Sequence, residues 1–189
     1  MSKNKYLTVS NLLSFLRLLL VIPIWIFFNN FPEQTFRYLV VAAGIFALIT
    51  DVLDGYFARK FNEVTEFGKI IDPLADKVVI GFVVIKLFLI GEIPSYYFIM
   101  IITRDVLILI GGLLIASKTK YVLPSDKYGK ATVVLIGIVL LMMLINVDRD
   151  AVYFMTVYYL SIVLILISFA NYLYKAITVI NKKKYEAVK

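Results

Sequence analysis

Cysteine and histidine are both missing from the 189 residues of this chain. Without cysteine there is no disulfide framework, no thiolate nucleophile and no thiolate metal site. Without histidine there is no Ser–His or Cys–His catalytic pair, no phosphohistidine and no imidazole ligand. Carboxylates are then the only strong metal ligands left. Charge is scarce as well: Asp, Glu, Lys and Arg together make up 17% of the residues, against about 25% in an ordinary soluble domain.

Apolar residues fill the space. Hydrophobic side chains account for 61% of the sequence and the mean hydropathy is +0.89. Crossing a bilayer core takes roughly 20 mostly apolar residues per helix. Six such runs are legible, at 12–28, 38–58, 70–90, 96–116, 131–147 and 152–174. None alternates strictly between apolar and polar residues, which excludes barrel strands and leaves helices as the spanning element. Pro32, Pro94 and Pro124 fall in the links, where a helix break costs nothing. The expected fold is an all-α polytopic membrane protein with six transmembrane helices, a single domain over residues 1–189. The run after Arg17 is long and lacks a small-residue cleavage site, so it is not expected to be a removable signal.

The net charge of +7 is unevenly placed. Lys3 and Lys5, then Arg59, Lys60 and Lys69, then Lys118, Lys120 and Lys127, then Lys182, Lys183 and Lys184 all belong to one set of links. The alternate links carry only Arg37 and Arg149. Lys and Arg mark cytoplasmic links, so both termini are expected in the cytoplasm of a cell whose inner membrane holds the protein. The basic rim faces anionic headgroups rather than nucleic acid.

Against this background stand four acids: Asp51, Asp54, Asp72 and Asp76. Asp51 and Asp54 are three residues apart and Asp72 and Asp76 four apart, so each pair shares a helix face. The short turn between the second and third helices is expected to bring the two faces together. Carboxylates at membrane depth are expensive and are retained where they line a polar site. Gly55 and Gly68 open that face to a bulky polar ligand, Ala58 keeps it shallow, and Arg59 supplies a fixed cation for phosphate oxygens. An all-oxygen donor set favours Mg²⁺ or Mn²⁺, and two such ions would neutralise four carboxylates and still bind a diphosphate.

The stretch D-V-L-D-G-Y-F-A-R, eight residues, then G-K-I-I-D-P-L-A-D resembles the CDP-alcohol phosphatidyltransferase family. The family signature is D-x2-D-G-x2-A-R-x8-G-x3-D-x3-D, and every fixed position matches: Asp51, Asp54, Gly55, Ala58, Arg59, Gly68, Asp72 and Asp76. The run Ser10 to Arg17 is similar to the family's first-helix pattern P-N-x-L-T-x-x-R, with Ser10 for proline and Ser14 for threonine. The resemblance implies displacement of CMP from a CDP-linked lipid by an alcohol hydroxyl. It implies Asp51, Asp54, Asp72 and Asp76 as metal ligands, with Asp76 also the general base. It implies Asn11, Ser14, Gly55, Arg59, Thr65 and Gly68 at the CDP-lipid, here CDP-diacylglycerol. A homodimer is implied too, for which Gly111 and Gly112 offer close helix packing.

Arg104 and Lys130 lie inside or beside apolar runs. One reading pairs Arg104 with Asp105, and leaves Lys77 and Lys86 to pair or snorkel. The other makes Arg104 and Lys130 a pocket for an acceptor phosphate, as family members with phosphorylated acceptors place an Arg and a Lys similarly. D-P-L-A-D-K resembles phosphatidylglycerophosphate synthases, which use glycerol 3-phosphate, whereas the runs at 103–106 and 129–132 look as much like cardiolipin synthases, which use phosphatidylglycerol. Glycerol 3-phosphate is the expected acceptor. A small ion-coupled transporter is the competing class, disfavoured because the acids gather toward one side. The aromatics at 96–98 and at 153, 154, 158 and 159 are expected to form interfacial belts.

Overall fold

The computed structural model describes residues 8–60, 68–119 and 127–186; the side chains at 9–10, 57–59, 68–74, 76, 113–119 and 179–186 lie outside the description. The described residues form seven helices and no strand: α1 (Val9–Leu19), α2 (Val21–Asn29), α3 (Gln34–Lys60), α4 (Gly68–Leu89), α5 (Ser95–Thr119), α6 (Lys127–Leu144) and α7 (Val152–Glu186). The first apolar run is split in two. Pro23 has no N–H to give the Leu19 carbonyl four residues back, so α1 ends there and α2 resumes after Leu20. At its start, α1 is capped by the Thr8 hydroxyl, which accepts from the Asn11 N–H at 3.2 Å.

Among the described residues, five spans are long and apolar enough to cross a bilayer: 11–29, 34–56, 95–112, 127–144 and 152–178. The expected sixth, α4, has the length at 22 residues but carries Lys69, Asp72, Asp76, Lys77 and Lys86. The last helix, at 35 residues, extends about 52 Å and so outreaches a core of about 30 Å.

Two helix ends show why the periodic apolar pattern misplaces boundaries. At the end of α4, Gly91 takes a φ of 79°, and the Glu92 N–H donates back to the Leu87 carbonyl at 2.8 Å. After α6, Asn146 takes a φ of 60°, and the Val147 N–H donates to the Met142 carbonyl at 2.9 Å. Both are left-handed C-caps that satisfy carbonyls the helix leaves open. Apolar residues continue past the α6 cap to Val147, which is why the expected span ran three residues further than the helix.

The chain groups into two compact units, Met1–Glu92 with Leu144–Asn146 and Ile93–Met143 with Val147–Lys189. In the first, α1 packs against both α3 and α4, which touch each other far less. Arg37 near the start of α3 is buried, pairs with Glu92 beyond the end of α4, and rests on the Phe31 ring at 4.2 Å. Lys86 on α4 sits over the Trp25 indole at 3.3 Å, a cation–π contact in place of the headgroup contact expected of it.

In the second unit, α5 packs on α7. Tyr97, Phe154 and Tyr158 are buried rather than interfacial, while Tyr96, Tyr153 and Tyr159 are exposed. The buried members lie where α7 meets α5. Tyr97 and Ser161 hydroxyls bond at 2.7 Å, and Tyr158 donates to Tyr96 at 2.7 Å. Gly111 serves packing within the chain: a Cβ there would lie 2.9 Å from the Tyr172 hydroxyl, which donates to the Ile108 carbonyl.

Replacing Arg37 by Leu takes the guanidinium away from the Glu92 carboxylate at a site where it is only 17% exposed. The expected loss is about 2–3 kcal/mol, below the range for a wholly buried pair. Denaturant unfolding in detergent should show it, and a double variant with Glu92→Gln should recover part of it.

Candidate functional site

Three positions on α1, spaced three apart, are buried: Asn11, Ser14 and Arg17. The spacing turns them to one side of the helix, and α1 packs that helix against α3 and α4. On α3, Ala47, Thr50 and Asp54 are buried, and the Thr50 hydroxyl donates to the Ala47 carbonyl at 2.8 Å. Self-satisfied Thr50 leaves the turn beyond it to the acids. On α4, Ala75 and Val79 are buried, three and seven positions on from Asp72.

Arg17 joins α1 to α3. Its side chain is 1% exposed, and its two terminal nitrogens reach two different carboxylates. Nη1 lies 3.1 Å from Asp51 Oδ1, and Nη2 pairs with Asp54 Oδ2. The Ser14 hydroxyl donates to that same Asp54 oxygen at 3.3 Å. Asp54 is almost wholly buried, whereas the Asp51 side chain is 45% exposed. A guanidinium is suited to this because its fork is planar, always charged and able to serve two acceptors.

Of the residues expected at the site, the structure thus brings Ser14, Asp51 and Asp54 together and places Asn11 on the same buried face of α1 as Ser14. Gly55 follows Asp54 on α3, half-buried. Gly68, Asp72 and Asp76 lie on α4 with side chains outside the description, as does the side chain of Arg59 on α3; Thr65 falls wholly outside the described residues. Among the described residues no three metal-ligating side chains gather. Lys77 is exposed, and the cation that meets Asp51 and Asp54 is Arg17. Its signal was available: it closes the first-helix pattern, three residues after Ser14.

A divalent ion fits the residues present. The donors are carboxylate oxygens alone, and half-exposed Asp51 leaves the cluster open to solvent.

In the second unit, Arg104 is buried on α5. It pairs with Asp105 and donates to the Gly129 carbonyl and the Ser168 hydroxyl, each at 3.3 Å. It therefore ties α5 to the first turn of α6 and to α7. Lys130, next to Gly129, is exposed. Arg104 also borders a cavity of about 190 Å³ between α5 and α7, lined by Met100, Thr103, Ile165 and Phe169.

A family model described as CDP-alcohol phosphatidyltransferase matches residues 7–173. The chain is 34% identical over 183 residues to a CDP-diacylglycerol–glycerol-3-phosphate 3-phosphatidyltransferase of Aquifex aeolicus, covering 94% of this chain and 100% of that one. It is 44% identical over 86 residues to a protein of the same description from Mycoplasma pneumoniae, covering 46% of this chain and 37% of the other. A probable phosphatidylglycerophosphate synthase of Mycobacterium tuberculosis is 36% identical over 127 residues, 65% of this chain and 58% of that protein.

Asp54→Asn should lower the unfolding temperature in divalent-free detergent more than Asp51→Asn does. Removing the buried partner leaves Arg17 short of charge at a cost of about 3 kcal/mol. The half-exposed partner is worth about 1 kcal/mol or less. Equal losses would contradict the asymmetric burial.

Proposed function

This chain belongs to the CDP-alcohol phosphatidyltransferase family, and on that premise we propose that it transfers the phosphatidyl group of CDP-diacylglycerol to glycerol 3-phosphate. CMP leaves and phosphatidylglycerophosphate forms. Family membership makes the protein a membrane-embedded phosphatidyltransferase with a CDP-lipid donor and an alcohol acceptor, and sets aside the transporter reading. The match to the Aquifex protein along its full length supports the acceptor, since that protein's description names glycerol 3-phosphate. The same descriptions weigh against phosphatidylglycerol as acceptor. One family model running through both compact units supports reading residues 1–189 as a single catalytic domain.

Asp51, Asp54, Asp72 and Asp76 would hold Mg²⁺ or Mn²⁺, two ions by charge. When bound, the metal supplies polarisation of the phosphoryl oxygens and stabilises the leaving phosphate. The protein's own groups do the rest. Asp76 takes the proton of the acceptor hydroxyl as its oxygen attacks the β-phosphorus, the one carried by diacylglycerol. Arg59, with Asn11, Ser14, Gly55, Thr65 and Gly68, holds the cytidine diphosphate end. The bond from the Ser14 hydroxyl to Asp54 supports its part in this. Arg104 and Lys130 receive the acceptor phosphate. The bond from Arg104 to the Gly129 carbonyl supports that grouping, since it brings the guanidinium to the residue beside Lys130. The basic links at the acid-bearing ends support a site facing the cytoplasm at the inner membrane, with both termini on that side. We read the working form as a homodimer, with Gly111 committed to packing within each subunit.

The observation that carries this function is the pairing of Asp51 and Asp54 across one buried cation at the positions the family signature demands. Purified protein with CDP-diacylglycerol and Mn²⁺ should release CMP when glycerol 3-phosphate is added, and not with phosphatidylglycerol, inositol 1-phosphate or serine. Product with phosphatidylglycerol alone would reassign the acceptor. Asp76→Asn should lose about 10²–10⁴-fold in turnover while keeping nucleotide binding; wild-type rates would refute the base assignment.

A further inference from the structure

We propose that Arg17 is a positioning residue of the metal centre, whose guanidinium fork sets the spacing and orientation of the Asp51 and Asp54 carboxylates for a divalent cation. This rests on the reading of the four aspartates as metal ligands. Arg17 is among the largest wholly buried side chains of the protein, yet one of its partners, Asp51, is 45% exposed. An exposed carboxylate is well served by water, so burying a cation beside it does little for stability. What the second arm of the fork does accomplish is geometric. Asp51 and Asp54 are three residues apart on α3, and one rigid planar group holds an oxygen of each.

The Asp54 end is fixed twice over. Arg17 Nη2 and the Ser14 hydroxyl meet at the same oxygen, Oδ2. Ser14 and Arg17 are one helical turn apart on α1, so α1 acts as a rigid bar that orients the carboxylates of α3. Neutralisation alone would not need this arrangement. A lysine carries the same charge, but its ammonium is a compact point donor on a flexible stem and lacks the planar fork that serves two acceptors at fixed spacing. Groups that orient metal ligands from behind typically account for 10–100-fold in affinity.

The test uses the full chain in detergent, stripped of divalent ions and titrated with Mn²⁺ by calorimetry. Arg17→Lys keeps the charge and removes the fork. It should melt near the wild-type temperature and bind Mn²⁺ about tenfold more weakly. Its turnover should be recovered largely by raising Mn²⁺, as for a residue acting through the ligands. Arg37→Lys, a buried arginine paired with Glu92 at the other end of α3, is the control and should leave Mn²⁺ affinity unchanged. If Arg17→Lys does not fold, Ser14→Ala loosens the same carboxylate more gently and should weaken Mn²⁺ binding severalfold. Wild-type Mn²⁺ affinity in the folded Arg17→Lys protein, or in Ser14→Ala where that substitutes for it, overturns the proposal. So does lost turnover with unchanged Mn²⁺ affinity, which would place Arg17 against the substrate instead. A wild-type chain that takes up no Mn²⁺ would overturn the metal reading itself, and is thereby told apart from failure of the Arg17 proposal alone.

Discussion

A carboxylate taken out of water must find a counter-charge or give up its own, and the first compact unit is organised around that requirement. Asp54 is 3% exposed on a helix that otherwise belongs in lipid. Arg17 meets it from α1, and the pair ties α1 to α3, along which it packs. A buried pair with good geometry offsets part of the desolvation cost of its members and makes loss of either one severe. Because the same guanidinium also reaches Asp51, one positive charge is divided between two negative ones.

The second unit solves the same problem with a different inventory. Arg104 finds one carboxylate, one carbonyl and one hydroxyl on three helices. Tyr97 with Ser161 and Tyr158 with Tyr96 add hydroxyl bonds where α5 meets α7. Lipid tails are as apolar as leucine, so apolar area alone does not select one helix neighbour over another. Polar bonds and close small-residue contacts do, and the fit of Tyr172 against Gly111 is of the second kind. The buried arginines and tyrosines therefore set which helices meet, and the apolar residues set only that they are helices in a membrane.

The spans were legible because their signal is local. Six apolar runs became α1 with α2, then α3 to α7, and the departures each have a local cause: Pro23 splits the first, and left-handed caps at Gly91 and Asn146 stop α4 and α6. Hydropathy overlooks such caps because apolar residues continue beyond Asn146. The aromatic residues were misjudged for a different reason. Interfacial and core tyrosines have the same composition signature, and only the packing of α5 on α7 separates buried Tyr97 and Tyr158 from exposed Tyr96 and Tyr159.

The candidate site divides along the same line. Spacing alone put Asp51 and Asp54 on one face and Asp72 and Asp76 on another, because helical periodicity is a property of the chain itself. The family, the membrane setting and the carboxylate chemistry were likewise written in residue order and composition. What residue order could not reveal is that Arg17, some 37 positions from Asp54, is the cation beside Asp51 and Asp54, or that Arg104 turns to Asp105, Gly129 and Ser168. Several arginines and lysines were equally plausible partners on paper. The choice among them is made by which helix faces meet, and electrostatic pairing at atomic range is decided only once they do.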